Sequence, residues 1–167
     1  MLLKTVRLTI RPFRDEDAVA MALLLQNREI AKTNMVPDLD EEKALKLFGR
    51  FLELSADPER AVVGLFDCGR LVGFMNDVER DGATIEMGYV IDPACWNKGY
   101  ATEALTAMIA ALFSRGYETV ICGAFAENPA SLRVMEKAGM EPIDREDMIE
   151  YRGEMHRCMY RAARKHG

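Results

Sequence analysis

Residues 85–105 change their hydrophobic period part-way along, and this change constrains the fold more than any other feature of the chain. Residues 85–91 place large apolar side chains at alternate positions, as expected for a β-strand. Asp92-Pro93 then ends the strand, because proline lacks an N–H donor and holds the preceding residue extended. The apolar residues of 101–113 follow helical spacing instead. The sequence therefore predicts a strand, a loop and a helix in direct succession.

The loop before this helix contains the run Asn97-Lys98-Gly99-Tyr100-Ala101. A helix N-terminus has four unpartnered N–H groups and about half a positive charge, so a phosphate can approach it where side chains leave room. Gly99 and the small Ala101 leave such room. The loop matches neither the dinucleotide-binding fingerprint nor the Walker motif, and any strand-to-helix turn can contain one glycine. Taken alone, it is a weak indication of a pyrophosphate cradle.

The composition is that of one ordinary globular domain. Of the 167 residues 49% are hydrophobic, so a single domain spanning residues 1–167 with a sizeable core is expected. The net charge of −5 argues against general nucleic-acid binding. The sequence has no run of about 20 apolar residues for a membrane span, and its start lacks the apolar core of a signal peptide. A cytoplasmic location with no membrane or nucleic-acid partner is expected.

The cysteines and histidines are too scattered for a metal site of the usual kind. The four cysteines, none of them in a C-x-x-C pair, are Cys68, Cys95, Cys122 and Cys158. Two histidines are too few to complete a typical zinc site. We therefore expect buried free thiols and no metal.

The same periodicities place further elements along the chain. The expected elements are a strand at 7–13, a helix at 15–26 begun by Asp15, a helix at 41–55, a hairpin of 60–67 and 70–79, a strand at 119–125, a helix ending at residue 137 and capped by Asn128, and a hairpin of 148–151 and 155–160. Residues 27–40 are the least predictable part. The order predicts an α/β fold in which a β-α-β unit joins 85–91 to 119–125.

Three stretches resemble the GNAT superfamily of N-acetyltransferases, and most closely its branch of ribosomal-protein N-terminal acetyltransferases. The stretch 88–105 resembles the acetyl-CoA loop, written Q/R-x-x-G-x-G/A, with Trp96 at the first position as is usual in that branch. The stretch 128–140 resembles the superfamily's Asn-x-x-Ser…Glu-Lys-x-Gly-Phe segment, with Met140 in place of the phenylalanine. The opening 7–13, Arg-Leu-x-Ile-Arg-Pro-Phe, also resembles the branch.

The resemblance implies a fold and a mode of cofactor binding. It implies a mixed, mostly antiparallel sheet flanked by helices and splayed between the fourth and fifth strands, 85–91 and 119–125. Acetyl-CoA, as cosubstrate, would lie in that splay. The residues implied to bind it are Tyr89, Val90 and Ile91 through their backbone to the pantetheine, Asn97, Lys98, Gly99, Tyr100, Ala101 and Thr102 through their amides to the pyrophosphate, and Asn128 and Ser131 near the pantetheine arm and thioester.

Two side chains are candidates for the chemistry. Alternation alone puts Glu86 on the strand face opposite Met87, where a solvated carboxylate is the simplest expectation. The resemblance implies instead that Glu86 faces the acceptor and acts as the general base. It also places the Ser131 hydroxyl near the thioester sulfur as an acid for the thiolate. Many relatives use a tyrosine where this chain has Met135, and a thioether cannot donate a proton, so Ser131 or water must serve.

The expected activity is direct transfer of the acetyl group of acetyl-CoA to a primary amine of a small molecule or peptide. Two alternatives remain open: N-terminal acetylation of a ribosomal protein, as the nearest branch suggests, and a non-catalytic CoA-binding sensor. A structural domain in which both motifs are fortuitous is disfavoured, because two independent motifs occur in the expected order and spacing. The sequence leaves the acceptor open, and it is equally compatible with a monomer and a homodimer.

Overall fold

The computed structural model describes residues 1–34 and 36–167, so Met35, in the poorly predictable stretch 27–40, lies outside the described residues. The elements, in chain order, are β1 (Leu3–Lys4), β2 (Leu8–Arg11), α1 (Ala18–Leu25), α2 (Arg28–Thr33), α3 (Glu41–Ala56), β3 (Val63–Asp67), β4 (Arg70–Asp81), β5 (Thr84–Ile91), α4 (Tyr100–Ser114), β6 (Thr119–Phe125), α5 (Pro129–Lys137), β7 (Glu141–Tyr151) and β8 (Glu154–Arg164). Among these described elements, none is a helix long and apolar enough to cross a membrane.

The eight strands form one sheet in the order β1-β2-β3-β4-β5-β6-β8-β7. The strand pairs β1–β2, β2–β3, β3–β4, β6–β8 and β7–β8 are antiparallel. Strands β5 and β6 pair in parallel, from Thr84↔Thr119 to Glu86↔Ile121. The prediction of a mixed, mostly antiparallel sheet is confirmed. The short strand β1 was not predicted, and it shifts the strand numbering by one. The predicted fourth and fifth strands therefore correspond to β5 and β6.

The chain divides into two compact units, which we describe separately. The first unit comprises residues 1–77 and 89–100, and the second comprises 78–88 and 101–167.

Aromatic rings make up much of the core of the first unit. Helix α3 is capped by Asp40, whose side chain accepts a hydrogen bond from the Lys43 N–H at 2.8 Å. The Phe13 ring meets the rings of Phe48 and Phe51 edge-on, with centroids 5.8 and 6.1 Å apart. Such edge-to-face pairs add to the free energy gained from apolar burial. The amphipathic helix predicted at 41–55 is thereby confirmed.

The first helix begins differently from the prediction, because Asp17 rather than Asp15 makes the stabilising contacts. Residues Asp15–Asp17 form a 3-10 turn, and the Asp17 carboxylate accepts the Arg14 N–H at 2.7 Å. It also accepts two hydrogen bonds from the Arg11 guanidinium, at 2.9 and 3.0 Å. Burial acts to raise the pKa of Asp17, but the bonds from Arg11 and Arg14 outweigh it and the pKa lies below its usual value.

The second unit is built around strand β6 and the β7–β8 hairpin. The hairpin turns at Arg152-Gly153, with φ angles of 53° and 79°, as predicted. A β-carbon on Gly123 of β6 would lie 2.6 Å from the ring of Tyr160, so glycine leaves the space that this ring fills. Phe125, Cys158 and Tyr160 form a buried cluster there.

Candidate functional site

The C-terminal end of β5 is tied to the loop that follows it. Asp92 donates its N–H to the Val72 carbonyl at 2.8 Å, and its side chain accepts the Ala94 N–H at 3.0 Å. The Trp96 indole N–H donates to the Ile91 carbonyl at 2.8 Å. Trp96 therefore fastens the loop to the end of the strand. This role explains its position in the motif without any contact to a ligand.

Strand β4 approaches the same end of β5 unusually closely. A β-carbon on Gly73 would lie 2.2 Å from the Val90 carbonyl oxygen, a distance that no side chain could accept. Tyr89 is half-buried, while Val90 and Ile91 are buried. The sequence signal was a glycine inside a strand, which commonly marks such an approach. The predicted pantetheine-binding residues thus lie on a firmly held strand end.

The loop after β5 has an unusual backbone and exposed side chains. Asn97 and Gly99 have positive φ angles, 61° and 82°, and α4 begins at Tyr100. Residues Asn97, Lys98 and Gly99 are exposed, while Ala101 and Thr102, in the first turn of α4, are half-buried. The predicted helix start is confirmed. A loop of this shape can present backbone N–H groups and the helix N-terminus to a phosphate group.

Two side chains contact this loop, that of Arg7, just before β2, and that of Asp67, at the end of β3. The Arg7 guanidinium donates to the Lys98 carbonyl at 2.7 Å, and its central carbon lies 4.2 Å from the centre of the Tyr100 ring. The Tyr100 hydroxyl donates to the Asp67 carboxylate, and this hydrogen bond raises the pKa of Tyr100. Sequence reasoning missed Arg7 and Asp67 as partners of the loop, since they lie far from it in the chain.

In the second unit Glu86 is paired with an arginine. Its side chain is only 13% exposed, and its Oε2 accepts a hydrogen bond from Arg145 Nη1 at 3.1 Å. The expectation from strand alternation, a solvated carboxylate, is therefore wrong. Glu86 is a largely buried acid with a fixed cationic neighbour.

Arg145 belongs to a network of charged and polar side chains on β7 and β8. Its Nη2 donates to Asp147 at 3.3 Å, and its guanidinium lies 3.9 Å above the Tyr160 ring. The Tyr160 hydroxyl donates to the same Asp147 oxygen at 2.8 Å, which lowers the pKa of Asp147. Burial is the main cause that raises the pKa of Tyr160. Sequence reasoning missed this network, although Arg145 and Asp147 occupy alternate, half-buried strand positions.

Asn128 and Ser131 lie together at the start of α5. The Asn128 side chain accepts the Ser131 N–H at 3.2 Å, so Asn128 caps the helix and Ser131 is its third residue. Ser131 is half-buried. Met135, one turn further on, is fully buried in the core. The predicted cap is confirmed, and Met135 has a packing role.

Three of the four cysteines, all within the described chain, are buried free thiols and the fourth, Cys68, is exposed. The prediction of buried thiols is therefore wrong for Cys68. Burial, with the nearby Glu86 charge, raises the pKa of Cys122 to about 12. A thiol with such a pKa stays protonated at neutral pH and is a poor nucleophile. In residues 1–34 and 36–167, no group of three or more His, Cys, Asp or Glu side chains could hold a metal ion.

The family model described as an acetyltransferase (GNAT) domain matches residues 7–141. The chain belongs to the GNAT family. Two relatives from Bacillus subtilis (strain 168) support this: the uncharacterized N-acetyltransferase YoaA is 26% identical, and the uncharacterized N-acetyltransferase YnaD is 30% identical. Each match covers 84% of this chain and 82% of the relative. The protein is therefore an N-acetyltransferase.

Solved acetyltransferase structures share the fold over nearly the whole chain. An acetyltransferase of the GNAT family from Bacillus anthracis is 27% identical, with a TM-score of 0.85 over 98% of both chains. RimL, a ribosomal L7/L12 alpha-N-protein acetyltransferase in complex with coenzyme A, is 17% identical, with a TM-score of 0.86 over 98% of both chains. MccE, the microcin C7 self-immunity acetyltransferase in complex with acetyl-CoA and AMP, is 12% identical, with a TM-score of 0.84 over 96% of this chain and 94% of MccE.

Proposed function

We propose that the protein, acting as a single N-acetyltransferase domain over residues 1–167, transfers an acetyl group from acetyl-CoA directly to a primary amine of a small molecule or peptide. The observation that carries the proposal is the loop of exposed residues 97–99, which leads with two positive φ angles into the N-terminus of α4. This donor set suits an anion such as the cofactor pyrophosphate, since it offers backbone N–H groups and no acidic side chain between Asn97 and Thr102.

In this proposal the cofactor's parts meet different residues. The amides of Asn97, Lys98, Gly99, Tyr100, Ala101 and Thr102 bind the pyrophosphate, and the backbone of Tyr89, Val90 and Ile91 bonds to the pantetheine as an added strand would. The Asn128 side chain contacts the pantetheine arm. Support comes from the relatives RimL and MccE, whose structures hold coenzyme A and acetyl-CoA on the same fold. Acetyl-CoA supplies an acetyl group already activated as a thioester.

Glu86 serves as the base. An acceptor amine must lose a proton as its nitrogen bonds to the acetyl carbon, and the carboxylate takes that proton directly or through one water. Arg145 keeps the carboxylate in one orientation, while Asp147 and the Tyr160 ring hold Arg145. As the carbon–sulfur bond breaks, the sulfur leaves with the electron pair, and Ser131 or water supplies a proton to it. One amine proton is lost and one thiol is formed, so the transfer balances.

Replacing Glu86 tests this assignment. Glu86→Gln keeps an oxygen that can accept from Arg145 but cannot take a proton, so acetyl transfer should slow by roughly 10²–10⁴-fold at neutral pH. Coenzyme A affinity should stay within about twofold. The matched control is Glu79→Gln, the same change at an exposed position on β4 in the same unit. Turnover of the Glu86→Gln protein equal to that of the control would rule out Glu86 as the base.

A second candidate is N-terminal acetylation of a ribosomal protein. It is favoured by the opening Arg-Leu-x-Ile-Arg-Pro-Phe of residues 7–13 and by the fold shared with RimL. MccE shows that the same fold also occurs in an acetyltransferase of microcin C7 self-immunity. A panel of N-terminal peptides and small primary amines, with acetyl-CoA and thiol release as the readout, separates the two candidates. Turnover restricted to one ribosomal-protein N-terminus would favour the second.

A further inference from the structure

The loop after β5 has a backbone conformation that needs support. Asn97 has a φ of 61°, in the left-handed region that most residues avoid, and Gly99 follows at 82°. Conformations of this kind persist only where the surrounding structure holds them. The loop is exposed, so the support must come from specific contacts rather than from burial in the core.

One guanidinium supplies several of those contacts. Arg7 donates to the Lys98 carbonyl at 2.7 Å and stacks on the Tyr100 ring at 4.2 Å. Its Nη2 lies 3.4 Å from where a β-carbon on Gly99 would be. Arg7 therefore lies against three successive residues of the loop. A planar, permanently charged group suits this combination of a hydrogen bond and a stack, and lysine could not reproduce it.

A carboxylate on the neighbouring strand supplies the other contact. The Tyr100 hydroxyl donates to Asp67, the last residue of β3. Asp67 pairs with Leu8, the first residue of β2, and Arg7 directly precedes Leu8. The two anchoring side chains thus come from the end of β3 and from the residue just before β2, the strand paired with it. Anchors on rigid elements hold a binding loop more closely than contacts within the loop can.

We propose that Arg7 and Asp67 are positioning residues that hold residues 97–100 in their phosphate-binding conformation before the cofactor arrives. The inference rests on the proposed function, because it takes this loop as the pyrophosphate site. A preformed loop spares the free energy of ordering it on binding, so the anchors should affect cofactor affinity more than the chemical step. A carboxylate is unexpected next to a site for an anion. The hydrogen bond that Asp67 accepts from the Tyr100 hydroxyl accounts for its position there.

Tyr100→Phe is the central variant of the test, because it removes the hydroxyl and keeps the ring under Arg7 without changing any charge. Arg7→Lys keeps the charge and loses the planar stack. Each should weaken coenzyme A binding about tenfold, the usual effect of one hydrogen bond to a charged group. The matched control is Arg164→Lys, an exposed position at the end of β8, which should bind as the parent does.

Three readouts separate positioning from a general loss of structure. The KM for acetyl-CoA should rise more than kcat falls, while the KM for S-acetylpantetheine, which lacks the pyrophosphate, should not change. The Tyr100→Phe effect should persist at high salt, since no charge is altered.

Equal coenzyme A affinity of Tyr100→Phe and the parent, or equal losses with both acetyl donors, would overturn the proposal. Asp67→Asn, which keeps an acceptor oxygen, provides a milder variant should the others fold poorly. A parent protein that binds no coenzyme A would refute the proposed function itself.

Discussion

Replacing Gly99 with valine is the sharpest test of the loop as a cofactor site, because the chain contains a matched control. Gly69, in the β3–β4 turn, has the same φ of 82° and no atom within 4 Å of a would-be β-carbon. At Gly99 the nearest such atom is Arg7 Nη2 at 3.4 Å, an ordinary contact. The cost of either substitution is therefore conformational rather than steric.

The magnitude follows from the backbone angle that the two glycines share. A left-handed conformation costs an ordinary residue roughly 1–2 kcal/mol, and a β-branched residue more. For a chain of 167 residues, a loss of 1 kcal/mol lowers the melting temperature by about 2–4 °C. Both variants should consequently melt lower than the parent, by roughly 2–8 °C or somewhat more.

The two variants should differ in their response to coenzyme A. At 100 times the Kd, a ligand stabilises the folded parent by about 2.7 kcal/mol, which raises the melting temperature by roughly 5–11 °C. Gly69→Val should keep this shift in full. If Gly99→Val binds 100-fold more weakly, the same concentration gives about 0.4 kcal/mol and a shift of about 1–2 °C.

Differential scanning fluorimetry measures the melting temperature, and isothermal titration calorimetry independently measures coenzyme A affinity. A Gly99→Val protein with the parent's coenzyme A shift would show that the pyrophosphate does not bind at this loop. Equal loss of the shift in both variants would show that the effect is global, and it would refute the local argument just as firmly.

Three further variants test the second motif and the first helix. Ser131→Ala should change the free energy of unfolding by no more than about 0.5 kcal/mol and slow single-turnover transfer roughly 10–100-fold; an unchanged rate would leave water as the proton donor. Asn128→Ala removes the helix cap, so the free energy of unfolding should fall by about 1 kcal/mol and coenzyme A affinity should fall as well. Unchanged coenzyme A affinity would show that Asn128 is only a helix cap. The folded-state pKa of Asp17 lies below its ordinary 3.8, so its contribution to stability is present above that pH and is lost as the pH falls through the lowered value. Asp17→Asn should therefore melt with a shallower pH dependence below about pH 4 than the parent, and parallel melting curves for the two would contradict this.

The sequence predicted local structure well where the hydrophobic period agrees with the residues that end an element, such as proline and glycine. The change of period within residues 85–105 located β5, its loop and α4, because Pro93 and Gly99 mark the ends of the elements. The Asn128 cap followed from the same kind of signal. The start of the first helix did not, since Asp15 and Asp17 are both possible caps. The choice between them depends on Arg11, which lies on the preceding strand.

The side-chain partners of the candidate site could not be predicted in this way. Arg145 and Glu86 are 59 residues apart, and Arg7 and Lys98 are 91 residues apart. Hydrophobic periodicity says which face of a strand is buried, but it does not say which charged residue lies opposite. The environment of Glu86 illustrates this: alternation indicated a solvated face, and the structure shows a largely buried carboxylate paired with a half-buried arginine on the C-terminal hairpin.

The exposed thiol of Cys68 affects how acetyl transfer by this protein can be assayed. Assays that trap released coenzyme A with a disulfide reagent also titrate enzyme cysteines, and single-turnover experiments use enough enzyme for that background to matter. Of the four thiols, all in the described chain, only Cys68 is exposed, and its hydrogen bond to Asp67 raises its pKa. The background should amount to about one slow equivalent per chain, and Cys68→Ser should remove it. The same position, beside Asp67, offers a unique attachment point for a fluorophore that reports cofactor binding at the neighbouring loop.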